Sequence, residues 1–162
     1  VLLGLFYNIW LVFIGIFIYL GAGAEASQEY VQHDLSRYRV SNLVMSKYTL
    51  LAAHDALSAA LRALLDSQER EFLVTENGVV SGVLTRDEML AGLQQFGQNV
   101  QIGKIMRRDI QFIPPQMPVT DALRIMTELN IPMLPVGYPD RLVGVIDVET
   151  ISEFLLIQKA MQ

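Results

Sequence analysis

Cysteine is absent from this chain of 162 residues, which excludes a disulfide framework, a thiolate zinc site and a cysteine nucleophile. Histidine is scarce: His33 and His54 are the only two, 21 positions apart. A zinc peptidase helix needs two histidines at i and i+4 with a glutamate between them, so that chemistry cannot be assembled here. Each histidine stands beside an aspartate, His33 next to Asp34 and His54 next to Asp55, and both read as solvated surface residues. Basic residues are outnumbered, 12 Lys and Arg against 17 Asp and Glu, for a net charge of -5. Arg37 with Arg39 and Arg107 with Arg108 are isolated pairs rather than a patch, which argues against nucleic acid as the default partner. Serines and threonines have no histidine base placed with an acid to orient it. "GAGAEA" lacks the Lys-Ser/Thr ending of a phosphate loop. The chain therefore contains no expected catalytic residue and no expected metal ligand.

Charge is also missing from Val1 to Ala24, "VLLGLFYNIWLVFIGIFIYLGAGA", where the first carboxylate to follow is Glu25. As a helix these residues would reach about 36 Å, enough for a hydrocarbon core of about 30 Å. Residues 1–24 are therefore expected to be a transmembrane segment, with 25–39 a linker or juxtamembrane helix. Asn8 between Tyr7 and Trp10 also fits an interfacial turn, which would make Val1–Phe6 the end of one span and Ile9–Ala24 another. No basic stretch precedes the run and the chain does not open on Met, as a signal peptide would. The expectation is a carboxy-terminal piece of a longer membrane protein. Arg37 and Arg39 would lie near anionic headgroups and place the following domains in the cytoplasm.

What the rest contains is a repeat. "GVLTRDEML" from Gly82 returns 62 residues later as "GVIDVETIS" from Gly144; Val74 and Val136 keep the same spacing. "LVM" at Leu43–Met45 answers "KIM" at Lys104–Met106, and "HDALSAALRAL" answers "TDALRIMTEL", although Asp55 and Asp121 are 66 apart, which implies a first loop of different length. Within the first unit Leu57, Ala60, Leu61 and Leu64 fall at helical spacing. "EFLVTENGVVSGVLT" is two apolar runs around Asn77-Gly78, a hairpin signal, and Met89, Leu93 and Phe96 share a following helix face. The second unit uses Tyr138-Pro139-Asp140 as its turn and ends on a helix with Ile151 and Leu155 on one face. Each unit reads strand, helix, strand, strand, helix, an α+β class, with boundaries at 40–99 and 100–162.

In that order and duplicated, these motifs resemble a tandem pair of CBS domains, a Bateman module, over Val40 to about Lys159. The resemblance implies sheets that pack together and self-association into a homodimer. The apolar segment "LLGLFYNIWLVFIGIFIYLGAGAEASQE" resembles the last membrane helices of site-2-protease-type intramembrane zinc metalloproteases, where members pass into a CBS pair. That implies a regulatory and dimerisation module whose partners are the lipid bilayer and an upstream protease domain carrying the zinc. The alternatives are a CBS module of a membrane channel or transporter, and a dimerisation module without a ligand.

For CBS modules that bind adenosine nucleotides the resemblance implies Gly, two apolar residues, Thr or Ser, two variable residues, then Asp. The hydroxyl meets phosphate and the carboxylate grips the ribose diol. The first unit keeps Thr85 but has Glu88 at the carboxylate position, with Asp87 turned about 100° around the helix. The second puts Asp147 where the hydroxyl belongs and Thr150 where the carboxylate belongs. The expected nucleotide site is thus Thr85, Arg86 and Glu88, with ATP and AMP binding weak or absent and no cofactor needed.

Overall fold

The computed structural model describes residues 35–161; the expected membrane segment 1–24, residues 25–34 of the linker and His33 lie outside the described residues. Among the described residues no helix is long and apolar enough to cross a membrane. The chain divides between Arg37 and Tyr38, and the unit Tyr38–Gln162 holds both repeats.

The first repeat runs β1 (Leu50–Ala52), α1 (Leu57–Asp66), β2 (Glu71–Glu76), β3 (Val79–Thr85) and α2 (Arg86–Phe96). β1 pairs parallel with β2, as a strand-helix-strand crossover requires, and β2 pairs antiparallel with β3 across the Asn77-Gly78 turn. Both turn residues have positive φ, 53° and 79°, the geometry that a two-residue hairpin loop demands. The second repeat runs α3 (Val119–Leu129), β4 (Met133–Tyr138), β5 (Arg141–Asp147) and α4 (Val148–Ala160). Its first strand shrinks to one parallel bridge, Ile113 to Val136, at the place where Leu51 meets Val74. Both hairpins carry a register shift at equivalent points, Val74/Thr75 and Val136/Gly137.

The helices keep the same spacing. α1 starts at Leu57 and α3 at Val119, again 62 apart, so the unequal loop inferred from Asp55 and Asp121 is not there. The two "DAL" triplets are one helical turn out of phase: Asp55 lies ahead of α1, whereas Asp121 sits in the first turn of α3. The apolar periodicity, unlike the three matching letters, places Leu57 and Ala60 opposite Val119 and Ala122, all buried.

Each repeat lends its lead-in segment to the other. Met45 bridges Val145 of β5, and Arg107 bridges Val83 of β3. The hydrogen bonds are paired: Met45 N donates to Val145 O at 2.7 Å and receives from Val145 N at 3.0 Å, while Arg107 and Val83 do the same at 2.8 and 2.9 Å. A turn earlier Val40 N donates to Met117 O, as Ile102 N does to Asp55 O. Consequently Ile102 and Met106, from the second lead-in, belong to the core formed by Leu57, Phe72, Val74, Leu84 and Met89. Neither repeat closes its core alone.

This exchange explains why "GV" survives in both copies. A Cβ on Gly82 would stand 2.6 Å from Arg107 O and 2.7 Å from Met106 Sδ, and one on Gly144 would collide with Met45 O. Only glycine lets the crossing lead-in reach the strand. Val83 and Leu84, and Val145 and Ile146, are buried behind it, where packing selects them.

Candidate functional site: two clefts between the repeats

At the carboxyl end of β3 the chain turns into α2 at Thr85, and at the end of β5 it turns into α4 at Asp147. Each junction leaves free backbone N–H groups in the first helical turn, and each repeat satisfies them differently. In the first, Glu88 reaches back: its carboxylate accepts from Thr85 N at 3.1 Å and from the Thr85 hydroxyl, a capping box. In the second, Asp147 accepts from Thr150 N at 2.7 Å, and the Thr150 hydroxyl turns to the sulfur of Met45 at 3.2 Å. The polar letters differ because the two helices exchange the roles of cap and third residue.

Two clefts lie beside these junctions. The first, about 600 Å³, gathers Thr85, Arg86 and Glu88 from the start of α2, Arg107 from the crossing lead-in, and Thr127 and Asn130 from the end of α3. All three residues expected at the nucleotide site therefore share one cavity. Thr85 is buried, and its hydroxyl is held by Glu88. The second cleft, about 330 Å³, is its counterpart and contains Asp147, Thr150, Met45 and Glu69. Glu69 accepts from Thr49 N at 2.9 Å and from its hydroxyl at 2.8 Å.

Arg107 and Glu71 were not foreseen as site residues. The Arg107 guanidinium donates to Asp109 at 2.6 and 3.0 Å, to Leu129 O at 2.6 Å and to Asn130 O, closing the carbonyl end of α3. That bond holds the Asp109 carboxyl below its ordinary range and pushes Arg107 up. Arg70 and Glu71, at the start of β2, line both clefts. Burial pushes the Glu71 carboxyl up, the carboxylates of Asp147, Glu149 and Asp87 add to the rise, and Arg70 partly opposes it. The match of "LVM" with "KIM" sets Met106 against Met45 at a spacing of 61, but the bridges to Val145 and Val83 put Arg107 there, at the spacing of 62; the same spacing sets "ERE" at 69–71 against "IPM" at 131–133.

The clefts differ in charge. The first balances Arg70, Arg86 and Arg107 against Glu71, Asp87 and Glu88. The second sets Lys47 and Arg70 against Glu69, Glu71, Asp147, Glu149 and Glu153, an acidic excess that disfavours phosphate. Among the described residues no group of His, Cys, Asp or Glu is arranged to hold a metal ion. His54 is exposed, 3.7 Å from Asp55.

Residues 102–157 match the CBS domain family model. No curated protein sequence matches the chain. Solved structures share its fold. The CBS domain pair of protein MJ0100, in complex with 5′-methylthioadenosine and S-adenosyl-L-methionine, superposes with a TM-score of 0.68 at 20% identity, covering 75% of this chain and 98% of that one. The CBS-domain containing protein ATU1752 from Agrobacterium tumefaciens gives 0.65 at 18% identity over 72% of this chain and 97% of its own. The hexameric CBS-CP12 protein from bloom-forming cyanobacteria gives 0.64 at 17% identity, over 71% and 66%.

Proposed function

We propose that this chain, whose fold is that of a CBS domain pair, is a regulatory module that receives a small adenosine-bearing ligand in its first cleft and changes the packing of its two repeats in response. The observation that carries the reading is the construction of that cleft. Its walls come from β3 and α2 of one repeat and from the lead-in and α3 of the other, so an occupant bridges both. A ligand that prefers one relative placement of the repeats shifts the population toward it. The neighbour MJ0100 binds 5′-methylthioadenosine and S-adenosyl-L-methionine. In this chain Thr85 and Glu88 are spent on capping α2, and Arg107 on Asp109 and α3, which leaves Arg70 and Arg86, set against Glu71 and Asp87, to hold a polyphosphate. Adenosine compounds without a phosphate chain are favoured over ATP and AMP.

The parent protein, in this reading, is a membrane-embedded zinc metallopeptidase of the site-2-protease type, with the pair on its cytoplasmic side. The charge-free run Val1–Ala24 directly ahead of the pair supports it. Self-association is supported by apolar side chains left exposed on α2 and α4, Phe96, Leu156 and Ile157 foremost. Thermal melts with millimolar ATP, AMP, S-adenosylmethionine and 5′-methylthioadenosine test the ligand. Occupancy at 100 times Kd stabilises by about 2.7 kcal/mol, a shift of several degrees. That shift is expected with 5′-methylthioadenosine; one that is larger with ATP overturns the reading.

A further inference from the structure

Glu71 stands where the repeat offers a methionine. Its counterpart at the spacing of 62 is Met133, which is buried and apolar, whereas Glu71 is a half-buried carboxylate in the wall that the two clefts share. Among the described residues its side chain has no hydrogen-bond partner. The other acids of the clefts are accounted for differently: Glu88 and Glu69 bond to Thr85 and Thr49, and Asp147 caps α4. Three elements direct charge at Glu71. Its own strand contributes Arg70; the first turn of α2 contributes Asp87; the start of α4 contributes Asp147 and Glu149. Arg86 and Arg107 line the first cleft, and Lys47 and Glu153 the second. One cation thus faces three carboxylates around a fourth.

We propose that Glu71 is a proton-linked gate for the first cleft: ionised, it opposes an anion there, and protonated, it leaves Arg70, Arg86 and Arg107 in excess over Asp87 and Glu88 and admits one. Burial and the neighbouring carboxylates raise its titration above that of an ordinary glutamate, so the protonated form is reached at a higher pH than for a free side chain. The inference rests on the first cleft being a ligand site, and the test separates the two ideas.

The probe is inorganic sulfate, whose charge is constant across the range, titrated into the 15N-labelled full chain at about pH 5 and 7.5 with ionic strength held by chloride. Amide shifts at Thr85–Glu88 report the first cleft, and those at Asp147–Thr150 the second, where Glu69, Asp147, Glu149 and Glu153 still outnumber Lys47 and Arg70 once Glu71 is neutral. Sulfate should bind more tightly at the lower pH, by about sixfold where Glu71 is fully protonated, the factor for removing a unit charge about 8 Å from a divalent anion at water's dielectric constant of about 80. Glu71→Gln should bind at both pH values as the wild type does when acidified, and Glu71→Met, copying Met133, should do so as well. Adenosine, which is uncharged over the range, serves as the control for the clefts themselves. If adenosine binds but sulfate affinity has the same pH dependence in wild type and Glu71→Gln, or none in either, the gate is refuted while the ligand site stands. If neither probe perturbs these amides at either pH, both ideas fall.

Discussion

Gly82→Ala is the sharpest test of the exchanged lead-ins. In an open strand alanine would gain about 0.5 to 1 kcal/mol over glycine, because glycine loses more backbone freedom on folding. Here the new methyl group would meet Arg107 O at 2.6 Å and Met106 Sδ at 2.7 Å. The carbonyl is backbone and held by the Val83 amide at 2.9 Å, so it cannot rotate aside. Relief requires the lead-in to withdraw, which breaks the two Val83–Arg107 hydrogen bonds, at about 1 kcal/mol each, and loosens buried Met106, a further 1 to 3 kcal/mol of overpacking strain. The net expectation is a loss of about 3 kcal/mol. For a unit of this size, at about 4 °C per kcal/mol, that lowers the midpoint by about 12 °C. Gly78→Ala is the control: φ is +79° with nothing within 4 Å, so only the backbone cost of about 1 kcal/mol applies. Urea and thermal unfolding measure both. A Gly82→Ala protein within about 0.5 kcal/mol of wild type, or no worse than Gly78→Ala, would refute the crossing of the lead-in over β3.

The caps, the buried carboxylate and the exposed helices give further outcomes. Asp147→Ala should lose about 1 kcal/mol in urea unfolding by freeing Thr150 N, while Asp147→Asn, which can still accept that bond, should lose little. Glu71 is raised in the fold, so its ionised form is penalised there; stability should fall as pH rises from the ordinary glutamate value through the raised one. Glu71→Gln should therefore be the more stable protein at about pH 7.5 and equal to wild type near pH 4, and a constant difference across that range in unfolding midpoints contradicts the assignment. A fragment spanning Tyr38–Gln162 should sediment as a dimer at micromolar concentration, and Leu156→Glu, at an exposed apolar position, should weaken it; a wild-type monomer throughout that range removes the case for self-association through α2 and α4.

Much of the architecture was written locally. The alternation around Asn77-Gly78, the helical spacing of Leu57, Ala60 and Leu64, and the recurrence of "GV" 62 residues apart each depend on neighbours in the chain, so periodicity alone discloses hairpin, helix and duplication. The capping box was legible too: Thr85 followed three residues later by Glu88 is its signature. The "DAL" triplets at Asp55 and Asp121 show the opposite: a short identity recurs out of phase, while the apolar face keeps the spacing of the helices. Other facts belonged to the tertiary structure. That Arg107 crosses to β3 of the other repeat, and that Met106 fills that repeat's core, depends on a strand pairing between segments far apart in sequence, which no local period encodes. Glu71 was a polar letter at the start of a strand until folding brought Asp87, Asp147 and Glu149 around it. A carboxylate's chemistry is carried by the residue, but its proton affinity is set by the dielectric and the charges that surround it, and those exist only once distant segments have packed together.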